Sequence, residues 1–477
     1  MLNFLIEAQH MDQELDLPQS STTSQQFLPM LLAAFFILHV ALALWMPGAH
    51  TKFMLGDRAH DRLAKVQAVL NAPPDAGPLA VMAAQGSPGD YMFLLPAYAA
   101  AGPDGVILQS IVLYLAALAC LYWLTRDTFG PASAKAATIL YALLPATIFH
   151  PHAFVSETIS NPLLIIGSYA LAQILRRDGN IWTWTAVAGL LIGIVTFSRH
   201  VYILLPLIAA ALAWYYVSPV SRGRAVAASL IGLGYLPAIL WTAIALMAPT
   251  ASQSPASAGG LGANLQARAE RVALIAGVPP PQAIVEQQRE GLEGATMTIT
   301  PKQFTAFVAA HPLAYARSIV SDAVNILGNP GMAMVAGRYL GLFDLNEKSE
   351  EDLSRWRKIR DEHGMIAVAH ELWQTSASAL IINAAGMVAW ISVIGLALLG
   401  AIKAWRTPAI VDRPVCVMLM GLFVYVIAFN SVVAGYTRWD HRSGVEFVIA
   451  IFAAYAVASG VLSQLLEYVT RRDRSAQ

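Results

Sequence analysis

The first polar stretch that could do chemistry is GDRAHDRLAKVQAVL, which starts at residue 56 and follows the first long apolar run. If the chain is helical from Gly56, Asp57 and Asp61 lie one turn apart on one stripe, with Arg58 beside them. A carboxylate at a membrane surface, with a pKa tuned by burial and by a neighbouring arginine, is suited to accept a proton as a general base. We therefore predict Asp57 as a catalytic base and Asp61 as a supporting group.

The same stretch has an alternative interpretation as an ordinary amphipathic connector. Leu63, Val66 and Leu70 would supply its apolar side, and the charged residues would face water. A helix of this kind lies in the membrane interface and needs no catalytic role.

A second candidate catalytic carboxylate, Glu157, lies in the stretch HPHAFVSETISN at the start of a later apolar run. Ser156 and Glu157 could instead simply cap the helix that begins there. His150 and His152 are residues of the type that bind metals, but two histidines without convincing further ligands are weak evidence for a metal site. The proline between them is better explained as shaping a helix end, so no metal ligands are predicted.

Arginines supply the candidate anion-binding groups. Arg199 lies between two apolar runs in TFSRHVYILLPL, and Arg438 and Arg442 lie four residues apart in GYTRWDHRSGVEF. The planar arginine fork binds phosphate through paired hydrogen bonds and keeps its charge. The alternative is that these arginines only snorkel to the interface and anchor helix ends.

The elements that must position these residues are membrane helices. The chain has 477 residues, of which 57% are hydrophobic and 13% charged, with a mean hydropathy of +0.55. Soluble domains carry roughly 25% charged residues, and uncharged apolar runs of about 20 residues indicate membrane spans. The runs predict an all-α polytopic membrane protein with about ten or more spans: Phe27–Trp45, Val106–Leu124, Ala132–Phe149, Ile159–Leu175, Trp182–Phe197, Val201–Val217, Val226–Met247, Ala377–Leu399, Val415–Val433 and Val445–Leu465.

The distribution of basic residues predicts the orientation. With the N-terminus in the cytoplasm, the inner loops hold more Lys and Arg than the short outer segments, as the positive-inside rule requires. The arginines listed above then face outward, against that bias, and a bound anion would explain them. The predicted segments are a cytoplasmic tail over 1–26, a transmembrane module over 27–247, an outer helical region over 248–374 and a second transmembrane module over 375–477.

The outer region carries its own helix signals. LQARAERVALIAG has a helical pattern, Thr300 can cap a helix with Pro301 at its first position, and EKSEEDLSRWRKIRDEHG should be a solvated helix. No nucleotide loop of the Walker or Rossmann type occurs in the sequence.

Several of these stretches together resemble the GT-C superfamily of glycosyltransferases, particularly bacterial relatives of protein O-mannosyltransferases and of the lipid A aminoarabinose transferase. GDRAHDRLA is similar to the acidic first loop of that superfamily, and HPHAFVSETISNPLL to the start of its fourth span. TFSRHVYILLPL resembles the turn between its fifth and sixth spans, and YTRWDHRSGVEFVIA its terminal Arg-aromatic motif. The resemblance covers the N-terminal half well and recurs near the C-terminus, whereas 248–374 is largely unmatched.

The resemblance implies an enzyme that transfers a sugar from a polyprenyl-phosphate carrier to an envelope glycan, lipid or protein acceptor. It implies a multi-pass protein of a bacterial inner membrane, in contact with membrane lipids, with its site on the outer face and no nucleic-acid partner. Asp57 would be the base, and the donor phosphate would be held by a basic set: Arg58, Arg199, Arg438, His441 and Arg442.

Two departures from the family pattern leave the acceptor and a divalent metal requirement open. The adjacent Asp-Glu pair of the O-mannosyltransferases is spread here over Asp57 and Asp61, and His200 replaces the usual proline after the fifth-span arginine. No certain cofactor is predicted. An O-antigen-ligase-like or other lipid-linked oligosaccharide transferase remains an alternative, and so does a flippase or transporter of lipid-linked sugars.

Overall fold

A computed structural model describes most of the chain as helices, with no strand among the residues it describes. Those residues are 21–45, 57–73, 81–82, 89, 91–177, 179–247, 256–281, 299–328, 350–407, 411–433 and 439–461. The α helices are α1 Ser21–Trp45, α2 Asp57–Leu70, α3 Leu95–Phe129, α4 Pro131–Ala142, α5 Pro145–Phe149, α6 Glu157–Arg176, α7 Ile181–Ser198, α8 Leu205–Tyr216, α9 Val220–Met247, α10 Ala256–Ala276, α11 Pro301–Ala310, α12 Pro312–Gly328, α13 Glu350–Arg406, α14 Arg413–Val433 and α15 Glu446–Ala458. Short 3₁₀ turns lie at His150–His152, His200–Tyr202 and Trp439–Val445.

Seven helices in the described part of the chain are long and apolar enough to cross a membrane. An eighth span is obtained if α4 and the helical segment Pro145–His152, which are bent by 57° relative to each other, count as one broken span. The protein is therefore a polytopic membrane protein of the all-α class. Each of the ten predicted runs overlaps a helix or this bent pair, but α8 and α15, with 12 and 13 residues, are too short to be counted as spans.

The predicted solvated helix and the predicted span that follows it are one element. Residues 350–406 form a single α13 of 57 residues, so the charged stretch continues directly into the apolar run without a break. The apolar end of α13 packs against α15, which also packs against α4.

Small residues allow the other membrane helices to approach closely. In α7, a Cβ at Gly193 would lie 2.7 Å from the Leu233 carbonyl oxygen of α9, so that only glycine fits this contact. Close approach over small residues is the usual way that membrane helices gain packing energy without a hydrophobic driving force. Helix α7 packs against both α6 and α9, and α6 packs against α3, so α6 and α7 connect α3 to α9 in the bundle.

The chain reversals collect at two opposite ends of the bundle, each holding its own polar contacts. At one end, Arg176 at the end of α6 pairs with Asp412 before α14, with Nε and Oδ2 2.7 Å apart. We name this the Asp412 end. At the other, the Glu157 end, the start of α6 meets the turn after α7 and the turn before α15.

The region between the two predicted transmembrane modules contributes helices that bind back onto the bundle. Arg268 of α10 is fully buried, forms an ion pair with Asp322 of α12, and donates from Nη2 to the Ser431 carbonyl oxygen of α14 at 2.6 Å. Burial lowers the pKa of Arg268, and the Asp322 carboxylate opposes that effect. The predicted cap is confirmed, because Thr300 and Gln303 form a capping box at the start of α11.

Candidate functional site

Glu157 is buried at the first position of α6, where the exposed amide groups of the helix favour a negative charge. The side chain of Ser156 caps no backbone N–H of this helix, so the interpretation of Ser156 as a side-chain cap is wrong. Its hydroxyl instead donates to Oε2 of Glu157 at 3.0 Å. The serine therefore orients the carboxylate rather than the helix.

Arg199 comes from the end of α7 and pairs with Glu157. Its Nη2 lies 3.0 Å from Oε1 of Glu157, and the two side chains are 13% and 8% exposed. The guanidinium carbon also lies 6.0 Å from the ring centroid of Tyr202 in the following 3₁₀ turn, within cation–π range. No acidic residue is near Arg199 in the sequence, so this partner becomes apparent only in three dimensions.

The His150–His152 turn is fastened to the start of α6 by the next residue of that helix. Thr158 donates from Oγ1 to the carbonyl oxygens of His150 and Ala153, at 2.9 and 2.6 Å. Nδ1 of His150 lies 3.2 Å from the Asn161 amide nitrogen, one turn along α6. Pro151 thus sits inside a 3₁₀ turn that follows a helix end, as its sequence position predicted.

Asn161 links α6 to the turn that precedes α15. Its Nδ2 donates to Oγ of Ser443 at 3.0 Å, although the two residues are far apart in sequence. The next residue, Gly444, lies against the Tyr202 hydroxyl so closely that any Cβ there would clash with it. The turn 439–445, the turn 200–202 and α6 therefore meet at one buried point.

A pair of histidines extends this polar region toward the first span. His39, fully buried in α1, has its Nδ1 2.8 Å from Nε2 of His152, and the two rings stack with centroids 5.0 Å apart. We did not predict a role for His39. The signal was present, because an ionisable residue inside an apolar span is uncommon and often functional.

Helix α2 contributes a further basic group. It begins at Asp57, so the predicted helix from that point is confirmed, but its buried face carries Arg62, Val66 and Val69. Val66, predicted on the apolar side, is fully buried, whereas Leu70, predicted on the same side, is 44% exposed. Arg62 lies close enough to Glu157 for its charge to act on that carboxylate, as does His150.

Arg442 occupies a different environment from Arg199. It is fully buried, and its Nε donates to Oε1 of Glu446 one helical turn away at 3.0 Å. Its Nη1 donates to the Ile326 carbonyl oxygen in the last turn of α12, and its guanidinium lies 4.2 Å from the centre of the Trp390 ring. These contacts join α12, α13 and α15. Its role as a phosphate ligand stays a prediction.

The structure brings together Glu157 and Arg199 among the predicted site residues, and places Arg442 nearby in the turn that also holds Ser443. The backbones of Asp57, Arg58 and Asp61 belong to α2, and that of His441 to the 439–445 turn. Their side chains, and all of Arg438, lie outside what the structure describes. Asn161, Tyr202, Ser443 and Arg62 were not predicted, because single uncharged polar residues and one further arginine carry no distinctive spacing.

No protein-family model matches the chain, and no curated protein is significantly similar to it in sequence. What the site can do must therefore be argued from its own residues. Within the described residues, no group of three or more His, Cys, Asp or Glu side chains has the arrangement of a metal site.

The cluster combines a buried carboxylate with more than one source of positive charge. Removing one partner of a buried ion pair leaves an uncompensated charge, which typically costs about 3–5 kcal/mol. At Glu157 that cost is reduced, because Arg62 and His150 also act on the carboxylate. Glu157 therefore has basic side chains other than Arg199 near it.

Proposed function

We propose that the protein is a glycosyltransferase that moves a sugar from a polyprenyl-phosphate carrier to an acceptor hydroxyl or amine at the outer face of a membrane. The observation that carries the proposal is the Glu157–Arg199 pair, 3.0 Å apart, at a bundle end where separate chain segments converge. Three of those segments, the start of α6, the turn after α7 and the turn before α15, are stretches whose sequences resemble GT-C motifs. Their convergence supports a common site.

The proposed reaction needs a basic group that can bind the donor phosphate and that has another anionic partner when no donor is bound. Arg199 is suited to this, because its guanidinium can exchange the Glu157 carboxylate for the donor phosphate, and the planar arginine fork can bind either anion. The negative charge of Glu157 would then still be stabilised by Arg62 and His150. The exchange replaces one anion by another at Arg199, so no buried cation is left without a partner.

In the chemical step, the acceptor atom attacks the anomeric carbon of the sugar, and the bond from that carbon to the phosphate oxygen breaks. The bonding electrons go to the phosphate, which leaves as polyprenyl phosphate, and basic groups stabilise the charge that develops there. The acceptor proton passes to Asp57, which lies at the start of α2, in the helix that brings Arg62 to Glu157.

The test is transfer of radiolabelled sugar from a panel of polyprenyl-phosphate donors by the purified full chain in proteoliposomes, with envelope extract as the acceptor source. We expect Asp57→Asn to lower turnover by roughly 10²–10⁴ while donor binding survives, because the substitution keeps the shape and removes the proton acceptor. Asp61→Asn, which changes the supporting group on the same helix, should lower turnover less than Asp57→Asn. If Asp57→Asn keeps near-normal turnover and Asp61→Asn is inactive, the base is one helical turn away from the proposed one.

The same assay separates the proposal from transport. A flippase moves the intact donor between leaflets and leaves the sugar–phosphate bond whole, whereas a transferase releases polyprenyl phosphate. Donor movement without release of polyprenyl phosphate, across the whole panel, would overturn the proposed function.

A further inference from the structure

A groove with a volume of about 650 Å³ opens between α8 and the neighbouring ends of α13 and α14. Its walls include Ile208 and Leu212 of α8, Val417 of α14, and the aromatic side chains of Tyr215 and Trp405. The volume falls within the roughly 300–1,000 Å³ that is typical of small-molecule sites. The groove lies at the Asp412 end, on the opposite side of the bundle from Glu157.

Among the described residues that line the groove, one is basic. Arg413 is the first residue of α14, and its guanidinium carbon lies 5.6 Å from the centroid of the Trp405 ring. The neighbouring carboxylate of Asp412 is already paired with Arg176. Among the residues that the structure describes, Arg413 forms no ion pair, and none of the described residues that line the groove is acidic.

The aromatic residues indicate how deep the groove runs. Tyr215 and Trp405 are 80% and 57% exposed, and nearby Arg224 forms a similar stacked pair with Trp214 at 5.6 Å. A belt of Trp, Tyr and Arg side chains is typical of the membrane–water interface. Ile208 lies about 12 Å from Tyr216 toward the start of α8, at about 1.5 Å per residue. The groove therefore runs from the interface level into the hydrocarbon level.

We propose that this groove binds one anionic diacyl phospholipid, with its headgroup phosphate on Arg413 and an acyl chain along Ile208, Leu212 and Val417. The charge pattern selects this occupant, because a phosphate at the rim meets Arg413, which pairs with no carboxylate among the described residues, while the deeper walls are hydrocarbon. A zwitterionic lipid would bring a second, positive group next to Arg413. Basic pockets between membrane helices are known to take anionic headgroups, and the positive-inside rule predicts that this end faces the leaflet where such lipids are plentiful.

The test measures lipid retention by the full chain, purified in detergent, after exposure to equal amounts of phosphatidylglycerol and phosphatidylcholine with identical acyl chains. Native mass spectrometry reports the ratio of the two bound lipids. We expect the parent to favour phosphatidylglycerol, and Arg413→Gln to lower that preference by about fivefold, the equivalent of roughly 1 kcal/mol for one basic side chain near an anionic headgroup. Val417→Trp, which fills the groove, should lower the retention of both lipids.

The matched control is Arg224→Gln, which removes an arginine stacked on a tryptophan outside the groove walls. It should leave the lipid ratio unchanged. Equal retention of the two lipids by the parent, or equal effects of Arg413→Gln and Arg224→Gln, would overturn the proposal. A further arm adds glycerol phosphate in excess. Displacement of the lipid by this headgroup alone would make the groove a simple anion site and would also overturn the proposal.

Discussion

The two ends of α6 each carry an arginine–carboxylate pair, yet the surroundings of the pairs differ. At the Asp412 end, Arg176 pairs with Asp412 at 2.7 Å and also donates to Thr128, and Asp412 accepts from the Val415 backbone at 3.4 Å. Each charge there compensates the end of a helix, a cation at the C-terminus of α6 and an anion at the N-terminus of α14. Arg176 also lies 3.9 Å from Oδ2 of Asp127, which pairs with Arg126, so the contacts at this end join α3, α6 and the start of α14.

At the Glu157 end, charges also compensate helix ends, with an anion at the start of α6 and a cation after α7. This end has a surplus of polar groups as well. His150, Asn161 and Ser443 form a chain of hydrogen-bonded contacts beside the pair, and Arg62 adds another charge. Buried polar groups cost free energy unless they are satisfied, so a fold gains nothing from collecting more of them than the joint requires. The Asp412 end also holds further charges, but Arg126 and Asp127 are 47% and 29% exposed, whereas His150, Asn161 and Ser443 are buried. The buried surplus, rather than the ion pair itself, is what distinguishes a candidate site from a structural joint.

The largest expected difference between the two ends is which side of the membrane each one faces. In a chain with both native cysteines replaced by serine, Asp440→Cys should react fully with an impermeant thiol reagent from outside, and Asp178→Cys should not react. The measurement is labelling of intact cells, with permeabilised cells as the control for reactivity. Labelling of position 178 but not of position 440 would reverse the orientation and remove the basis for an outward site.

Neutralising the carboxylate at each end should then separate function from stability. Glu157→Gln removes the carboxylate on which Arg199 and Arg62 act, and we expect sugar transfer to fall by roughly 10²-fold or more, because the basic groups that stabilise the leaving phosphate lose their positioning. Asp412→Asn breaks the matched pair, so it should lower thermal stability while turnover per folded molecule stays within a few-fold of the parent. Equal loss of turnover in both variants would mean that the Glu157 end is a joint of the same kind.

Conservative replacement of the arginines tests the phosphate role with a smaller effect. Arg199→Lys keeps the charge but loses the planar fork, so donor affinity should weaken about tenfold to hundredfold, the range for a hydrogen bond to a charged group. Arg176→Lys, at the other end of the bundle, should leave donor affinity unchanged. The measurement is donor binding to the purified protein, with Arg438→Lys and Arg442→Lys in the same series. Unchanged affinity in Arg199, Arg438 and Arg442 variants alike would make all three arginines helix anchors.

Features that depend on residues close together in the sequence can be predicted from it, whereas contacts between distant segments cannot. Apolar runs depend on local composition and on the bilayer thickness, so the helices, and Glu157 at the start of α6, were predictable. The partner of Arg199 was not, because it comes from another helix pair, and neither was the burial of Arg442 against α12 and Trp390. The burial of Arg62 was not predicted for a related reason. The charge of Arg62 acts on Glu157 of another helix, and the local pattern of apolar residues in α2 does not record that contact.

The smallest expected effect concerns the glycine at which the turns of the Glu157 end meet. Any side chain at Gly444 would occupy the space of the Tyr202 hydroxyl and approach Oδ1 of Asn161 to 3.3 Å, so Gly444→Ala must displace Tyr202, the residue that stacks beneath Arg199. Overpacking of this kind typically costs about 1–3 kcal/mol, which should appear as a lower unfolding midpoint in detergent. Because the displaced ring lies beside the candidate anion site, donor affinity should fall as well.

The chain offers matched controls for that substitution in Gly395 of α13 and Gly421 of α14, where an added Cβ would meet no atom within 4 Å. Alanine at either position should keep or slightly raise stability, since it restricts the unfolded chain without a clash, and should leave donor affinity unchanged. Gly444→Ala therefore has a specific signature, lower stability together with weaker donor binding. Lower stability alone would mean that Tyr202 only packs the turn, and the surplus of polar groups at the Glu157 end would then extend no further than Asn161 and Ser443.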